Sequence, residues 1–205
     1  MKDNKTSLTK KIAGISRVGA QLFSKKGYME TSLADIAVAM KLSKGGIYHY
    51  FPSKTELLSF IIHSSMDQVL KDLKEELGKI ESPQEKIKRL IVRHVELYIQ
   101  HMYEARTLLN ETPNLSPTSF KKIVVKQREY YQIAASVLSD YLGASASKDE
   151  IKAISFTLFG MCNWIYSWYD PKGPIAPEQL SQIVFDLFIN GVSGFKKRHS
   201  SKTRG

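Results

Sequence analysis

The sequence is poor in cysteine, and this excludes several classes of protein. Cys162 is the single cysteine among 205 residues, so the chain can form neither an internal disulfide nor a cysteine-based zinc cluster. It lies in an apolar segment, where a reduced and buried thiol is the expected state. A reduced thiol in turn predicts a cytoplasmic protein.

Long apolar runs are also missing. No stretch reaches the roughly 18 uncharged apolar residues that a membrane span needs. The N-terminus carries charge but no apolar segment of the signal-peptide type. We therefore expect a chain that is not exported and has no membrane partner.

The motifs of common enzyme classes are absent as well. We find no GxSxG, no HExxH, no glycine-rich phosphate loop and no Cys–His pair that indicates a nucleophile, so we predict no enzyme, no catalytic residue and no cofactor. His94 and His101 lie on one face of a predicted helix. Two full turns separate them and no third ligand is obvious, so we predict no metal site.

Charge is distributed unevenly along the chain, whose total is +10. Residues 1–54 carry +7, residues 55–195 carry −2 and residues 196–205 carry +5. A basic N-terminal module joined to a nearly neutral body predicts a polyanionic partner for the module and another kind of partner for the body. The basic tail is more typical of a solubilising end than of a DNA contact.

Residues 31–54 have the composition of a helix-turn-helix. An amphipathic segment, with Thr31 or Ser32 as its N-cap, leads into a polar turn. Ser43 can cap a second short helix over residues 44–50. With no convincing β alternation anywhere in the chain, we predict an all-α fold.

A preceding helix completes a three-helix module. It is expected from Ser7 to Lys26 and stops at Gly27, which can adopt the left-handed conformation at a helix C-terminus. The small core of the module is predicted to consist of Ile15, Phe23, Leu33, Ile36, Ile47 and Phe51.

The body contains further amphipathic helices. A capping box at Ser53 predicts one long helix to Leu77, and another capping box at residues 82–85 predicts a helix that includes Met102. A helix opened by Ser116 and Pro117 should end at Gly143.

The C-terminal part is the most apolar. A third capping box opens at Ser147, and residues 150–169 are apolar on most faces, so we expect this run to be buried. A last helix should begin at Pro177. Two adjacent apolar C-terminal helices suggest dimerisation.

The order of these motifs resembles the TetR family of bacterial one-component transcriptional regulators. The resemblance rests mainly on residues 8–58, with FSKKGY at 23–28, TSLADIA at 31–37 and LSKGGIYHYFPSKTELL at 42–58. It implies a homodimer that binds a roughly palindromic double-stranded DNA operator and releases it when a small effector binds. Residues 1–52 would form the helix-turn-helix domain, and residues 53–205 a ligand-binding and dimerisation domain with a basic tail.

Seven residues are predicted to contact DNA. Gly45 costs helix propensity but lets backbone and phosphate approach closely. Tyr48 and His49 have rings that reach base edges or phosphates, and the resemblance implies that both face the DNA. Lys44 and Lys54 are suited to phosphates. The full set is Thr31, Ser43, Lys44, Gly45, Tyr48, His49 and Lys54, although helix capping alone would explain the first two.

The effector is predicted from weaker signals. Residues 163–169 (NWIYSWY), followed by Pro171 and Gly173, resemble the subgroup of TetR regulators that respond to acyl-coenzyme A (acyl-CoA) thioesters. Such a ligand needs an apolar tunnel and a cation near its phosphates, for which Arg106 is a candidate beside the basic residues of 121–128. By default, the aromatic residues of the body belong to the core or to a dimer interface. The predicted ligand-binding residues are Tyr98, Met102, Arg106, Tyr131, Phe159, Asn163 and Trp164.

Two alternatives stay open. A regulator of multidrug efflux would sense cationic or aromatic compounds instead of acyl-CoA. A helical DNA-binding or interaction protein of a different class would bind DNA without sequence preference and without an effector.

Overall fold

A computed structural model describes the backbone of residues 2–202 and the side chains of residues 6–194. Within this part of the chain the regular structure is entirely helical, which confirms the all-α prediction. None of the described helices is both long and apolar enough to cross a membrane. The helices are α1 (Lys2–Lys26), α2 (Leu33–Ala39), α3 (Lys44–Tyr50), α4 (Lys54–Leu70), α5 (Leu73–Gly78), α6 (Pro83–Gln100), α7 (Met102–Glu111), α8 (Pro117–Leu142), α9 (Lys148–Asn163), α10 (Ile165–Trp168) and α11 (Pro177–Lys202), with short 3-10 turns at Thr112–Asn114 and Gly143–Ser145.

The chain divides into two compact units. The first contains residues 1–68 and 101–125, and the second contains residues 69–100 and 126–205. These units are defined by contacts in space, whereas the predicted boundary between residues 52 and 53 concerns where the DNA-binding domain ends along the chain. That boundary stays a prediction.

The first unit contains the predicted three-helix module. All six residues predicted for its core are buried, with Ile15, Ile36 and Ile47 wholly inaccessible to solvent. α1 begins at Lys2, earlier than the expected Ser7, and ends before Gly27, whose φ of 94° confirms the left-handed stop. The small hydrophobic core of this module therefore fixes α2 and α3 on α1.

Elements from the middle of the chain complete the first unit. α7 packs on α1, where the Thr107 hydroxyl donates to the carbonyl oxygens of Tyr103, at 2.8 Å, and of Ala20, at 3.4 Å. The Ser119 hydroxyl near the start of α8 lies 2.6 Å from that of Ser59 and 2.9 Å from Nε2 of His63, both on α4. α7 and the start of α8 thus contact α1 and α4, the helices that precede and follow the helix-turn-helix.

The prediction of one long helix from Ser53 to Leu77 is wrong. α4 ends at Leu70, and a separate helix α5 begins at Leu73. Between them Asp72 has a φ of 57°, in the left-handed region that a continuous right-handed helix does not admit. The helix therefore ends at Leu70.

Arg93 of α6 explains why the chain breaks there. Its guanidinium donates hydrogen bonds to the carbonyl oxygens of Val69, at 3.4 Å, and of Lys71. The last carbonyl groups of a helix have no partner within the helix, so a guanidinium at this position satisfies them. The same side chain lies 2.5 Å from the carboxylate of Glu76 on α5. Arg93 thus joins both sides of the break.

The helix predicted to include Met102 is also interrupted. α6 ends at Gln100 and α7 begins at Met102, because His101 has φ −127° and ψ 43°. The His101 carbonyl then accepts a hydrogen bond from the Ala105 N–H at 2.8 Å, which starts the new helix. The predicted starts at Pro117 and Pro177 and the stop at Gly143, whose φ is 59°, are confirmed.

The second unit has a larger apolar core formed by α6, α8, α9 and α11. The expectation that residues 150–169 are buried is wrong for three large side chains. Phe156, Trp164 and Trp168 are 56%, 65% and 55% exposed, respectively. Only one side of α9, which includes Leu158 and Cys162, packs on α6 and α11. The opposite side is an uncovered apolar face in the single chain.

Candidate DNA-binding surface and effector site

Helix α3, the second helix of the helix-turn-helix, is short and is held at both ends. At its start, the Gly46 N–H donates to the Ser43 hydroxyl oxygen at 3.0 Å. Ser43 is therefore the N-cap of α3, as predicted. At its end, the Phe51 N–H donates to the Ile47 carbonyl at 3.0 Å. Because Ile47 is fully buried and α3 has only two turns, the side chains on the other face must point outward.

Four of the predicted DNA contacts lie on that outer face. Lys44, Gly45 and His49 are exposed, and Tyr48 is 46% exposed. A methyl group added at Gly45 would meet no atom within 4 Å, so packing within the chain does not require a glycine there. The face combines a cation, an open stretch of backbone and two rings with polar tips, a set that can hydrogen-bond to phosphates and base edges.

Thr31 lies inside the unit and not on the surface. It is 1% exposed, and its hydroxyl donates to the Gly27 carbonyl at 2.8 Å. The N-cap of α2 is Ser32, in a complete capping box with Asp35. Hydrogen bonds from the Ser32 backbone and side chain lower the pKa of the Asp35 carboxyl group. The predicted phosphate contact of Thr31 remains a prediction.

Lys54 at the start of α4 is engaged within the first unit. Its ammonium group donates to the carbonyl oxygens of Tyr28, at 2.8 Å, and of Met29, at 3.2 Å, and it lies 4.3 Å from the centre of the Tyr28 ring. Next to it, the hydroxyl groups of Tyr28 and Thr55 are 3.1 Å apart. In this arrangement Lys54 fastens the loop before α2 to α4. Its predicted phosphate contact also remains a prediction.

The second unit contains a polar cluster inside its apolar core. We use the name polar cluster for His94 and Tyr98 of α6, Tyr130 of α8 and Asn163 of α9. His94 Nε2 lies 3.0 Å from Asn163 Oδ1, and His94 Nδ1 lies 2.9 Å from the Tyr130 hydroxyl. The Tyr98 hydroxyl donates to the same Asn163 Oδ1 at 2.9 Å. Three helices therefore contribute to one hydrogen-bonded group.

The hydrogen bonds define where the protons are. Asn163 Oδ1 has no proton to give, so His94 Nε2 carries the hydrogen and donates it. Burial lowers the pKa of His94 to about 4, although the hydrogen bond to Asn163 acts to raise it. The ring is therefore neutral near pH 7. A neutral ring protonated at Nε2 leaves Nδ1 as an acceptor for the Tyr130 hydroxyl. Burial raises the pKa of Tyr98 and of Tyr130, so both keep their protons.

Aromatic rings extend from the polar cluster. Phe159 stacks on Tyr130 with ring centres 5.3 Å apart, and Phe156 meets Phe159 edge-on at 6.0 Å. Tyr131 stacks on Phe156 at 5.6 Å. These four rings form an aromatic strip that runs from the buried cluster to the exposed Phe156. Such a strip can contact a flat or apolar ligand.

The seven residues predicted to bind a ligand separate into groups. Tyr98 and Asn163 belong to the polar cluster, while Phe159 and Tyr131 belong to the aromatic strip. Trp164 is a surface residue with its ring 6.4 Å from that of Tyr166. Met102 and Arg106 are half-buried on α7 and belong to the first unit.

Sequence reasoning missed His94 as a member of this site. It considered His94 only as a metal ligand with His101. The available signal was the spacing of His94 and Tyr98, which lie four residues apart on the apolar face of α6 and therefore share one face. The buried thiol of Cys162 agrees with its prediction, and burial raises its pKa to about 12.

The fold and the exposed α3 face define a helix-turn-helix DNA-binding protein with a second helical unit. Residues 15–60 match the family described as bacterial regulatory proteins of the tetR family, and residues 81–192 match the tetracyclin repressor-like C-terminal domain. The chain belongs to the TetR family. It is a DNA-binding transcriptional regulator and not an enzyme.

Similar proteins of this family include curated relatives and solved structures. The transcriptional repressor KstR2 of Mycolicibacterium smegmatis is 22% identical over 181 residues, which cover 86% of this chain and 88% of KstR2. A TetR-family regulator from Bordetella parapertussis is 28% identical with a TM-score of 0.82, covering 86% of this chain and 93% of that one. AibR, solved in complex with isovaleryl coenzyme A and operator DNA, is 24% identical with a TM-score of 0.75. The match covers 86% of this chain and 96% of the AibR chain. At this identity the likeness to AibR shows the fold alone.

Proposed function

We propose that the chain is a cytoplasmic repressor that binds an operator as a homodimer and is released by an acyl-CoA thioester. The observation that carries the effector part is the polar cluster with its aromatic strip in the second unit. A domain that served only as a scaffold would be at least as stable with apolar side chains at these positions, because buried polar groups gain little net stability. A polar cluster next to aromatic rings is, by contrast, the usual composition of a small-molecule site.

DNA binding in this proposal uses the outer face of α3. Residues 1–54 carry a net charge of +7, which attracts the phosphate backbone of any sequence. Tyr48 and His49 supply the groups that distinguish one base sequence from another. Lys44 supplies a phosphate contact at the start of the helix.

The homodimer is supported by the uncovered apolar face of the second unit. Phe156 on α9 is exposed, as are Ile183 and Leu187 on α11, which are 40% and 66% exposed. α9 and α11 pack side by side, so these residues belong to neighbouring helices. Exposed apolar surface of this kind marks an interaction site, and a second copy of the chain satisfies it symmetrically.

The choice of an acyl-CoA rests on chemistry and on relatives. The polar cluster has no carboxylate, so it offers no charge partner to a cationic drug. A thioester joins an apolar acyl chain to a neutral carbonyl group, which matches an aromatic strip that ends at uncharged polar groups. AibR binds isovaleryl coenzyme A, and the KstR2 relatives are repressors. Both facts support the proposal.

A release experiment tests this proposal. The operator is first selected from random DNA by the purified protein, and binding is then followed by fluorescence anisotropy of the labelled duplex. We expect acyl-CoA thioesters to release the DNA at micromolar concentration, whereas free CoA, the free carboxylic acids and a cationic dye do not. Release by the dye alone would move the function to multidrug sensing. Binding to all DNA sequences with equal affinity would contradict a sequence-specific regulator.

A further inference from the structure

The side-chain amide of Asn163 has an unusual division of hydrogen bonds. Its Oδ1 accepts two, from Tyr98 at 2.9 Å and from His94 at 3.0 Å. Within the described residues, no hydrogen bond from its Nδ2 group accompanies them. The oxygen is therefore saturated, and both N–H groups are open to an acceptor from outside the chain.

The two donors hold this amide in one orientation. Tyr98 and His94 lie one turn apart on α6, and their rings are 4.5 Å apart, so they approach Oδ1 from the same helix. Turning the amide over would place an N–H group against the His94 Nε2 hydrogen and would leave Oδ1 without these donors. With the hydrogen on Nε2, the Nδ1 atom is free to accept from the Tyr130 hydroxyl, which lies 2.9 Å away. The cluster therefore presents the Asn163 N–H groups as fixed donors.

The surroundings of Asn163 select the group that these donors can bind. Asn163 is half-buried, whereas His94 and Tyr98 are buried. All four members of the polar cluster are uncharged near pH 7, so an ionic group brought there would lose its hydration without gaining a counter-charge. A neutral hydrogen-bond acceptor loses less hydration free energy than an ionic group when it is buried there. Carbonyl oxygens are the neutral acceptors whose geometry suits an amide N–H donor.

We propose that the Asn163 side-chain amide donates a hydrogen bond to a carbonyl oxygen of the effector, with His94 and Tyr98 as its positioning residues. The inference rests on the proposed effector-binding role of the second unit, but not on the effector being an acyl-CoA. A thioester or a ketone satisfies it equally. The apolar body of the ligand then lies along the aromatic strip that begins at Phe159.

The test uses pairs of probes that differ in one carbonyl group. The first pair is isovaleryl-CoA and its thioether, S-isopentyl-CoA, in which a methylene replaces the carbonyl. The second pair, without CoA, is benzylacetone and butylbenzene. Affinities for the full-length protein are measured by calorimetry, and the Asn163 side-chain amide signal is followed by NMR. We expect each carbonyl probe to bind at least about tenfold more tightly than its partner, because the partner covers the Asn163 N–H donor and displaces water from it without supplying an acceptor.

Variants assign this preference to Asn163. Asn163→Leu should bind both members of a pair with equal affinity, and the N–H signals lost in this variant identify the Asn163 amide. Asn163→Asp keeps an oxygen for Tyr98 and His94 but has no N–H group, so it should also lose the preference if Asn163→Leu does not fold. Tyr98→Phe should reduce the preference, because Asn163 Oδ1 then loses one of the two donors that orient the amide. Asn110→Leu, at an exposed position on α7, is the control and should behave as wild type.

The outcomes separate this inference from the proposed function. If the CoA pair does not bind but benzylacetone is preferred over butylbenzene, the acyl-CoA proposal fails and the role of Asn163 stands. If a carbonyl preference persists in both Asn163→Leu and Asn163→Asp, the inference is wrong. It is also wrong if no probe binds, or if the amide signal of Asn163 does not move when a carbonyl probe binds.

Discussion

Arg93 Nη1 lies 2.5 Å from Glu76 Oε1, and the same guanidinium holds the carbonyl end of α4. Glu76 also pairs with Arg89 at 2.8 Å. Burial alone would raise the pKa of Glu76, but the hydrogen bond from Arg89 and the charges of both arginines lower it. The break between α4 and α5 is thus stabilised by one acidic and two basic side chains.

Removing Arg93 should destabilise the protein at this break. Its side chain is 15% exposed, so Arg93→Ala leaves the carbonyl group of the half-buried Val69 and the Glu76 carboxylate with fewer partners. We expect the free energy of unfolding to fall by about 2 kcal/mol, measured by urea denaturation. Arg128→Ala, at an exposed position on α8, should change it by less than about 0.5 kcal/mol. Equal effects of the two substitutions would contradict the role given to Arg93.

This break shows what the sequence could not predict. Capping boxes and glycine stops depend on residues within four positions, so the caps at Ser43 and Ser147 and the stop at Gly27 were predicted correctly. The break at Asp72 is contacted by Arg93, which lies 21 positions further along the chain and reaches it only in the folded state. Local propensity favours a continuous helix there. A tertiary contact overrides it.

The candidate sites show the same difference. Tyr48 and His49 were placed on the outer face from the inward positions of Ile47 and Phe51, and the resemblance to the TetR family implied that this face meets the DNA. The polar cluster needed contacts between residues up to 69 positions apart, such as that between His94 and Asn163. Its aromatic members could be listed from the sequence, but their partners could not.

Tyr48 and His49 should govern operator affinity without contributing to stability. Both are exposed, so Tyr48→Ala and His49→Ala should leave the melting temperature nearly unchanged. We expect each to weaken operator binding by about 1–3 kcal/mol, since each removes a contact to base edges or phosphates. Ile47→Ala is the contrasting variant, because loss of a fully buried isoleucine costs about 2–5 kcal/mol of stability. Unchanged affinity in both surface variants would exclude this face as the DNA contact.

Lys44 should contribute to binding in a different way. A lysine on a phosphate carries no sequence information, so Lys44→Ala should weaken the binding of the operator and of unrelated DNA by the same factor. The slope of log affinity against log salt concentration should fall in magnitude by about 1, the value for one phosphate contact. Anisotropy titrations at four salt concentrations measure it. Loss of affinity for the operator alone would instead indicate a base contact.

Leu187 should belong to the dimer interface. It is 66% exposed on α11, so Leu187→Glu should leave the fold of the single chain intact but place a charge inside the interface. We expect analytical ultracentrifugation to show a shift from dimer towards monomer at micromolar concentration. Val125→Glu is a matched control, since Val125 is 65% exposed on α8. If both variants stay dimeric, the apolar face of α9 and α11 is not the interface.

His94 should make stability depend on pH in a predictable window. Its folded pKa is lowered from 6.5 to about 4, chiefly by burial, so between these values the unfolded chain binds the proton that the folded chain excludes. The contribution of His94 to the free energy of unfolding is therefore fully present above pH 6.5. It decreases by up to about 3 kcal/mol as the pH falls towards 4. His94→Gln has no ionisable ring and should remove this part of the dependence. Urea unfolding of both proteins from pH 7.5 to 4 measures it, with His49→Gln as the exposed control. Parallel pH curves for wild type and His94→Gln would mean that His94 is not buried in its neutral form.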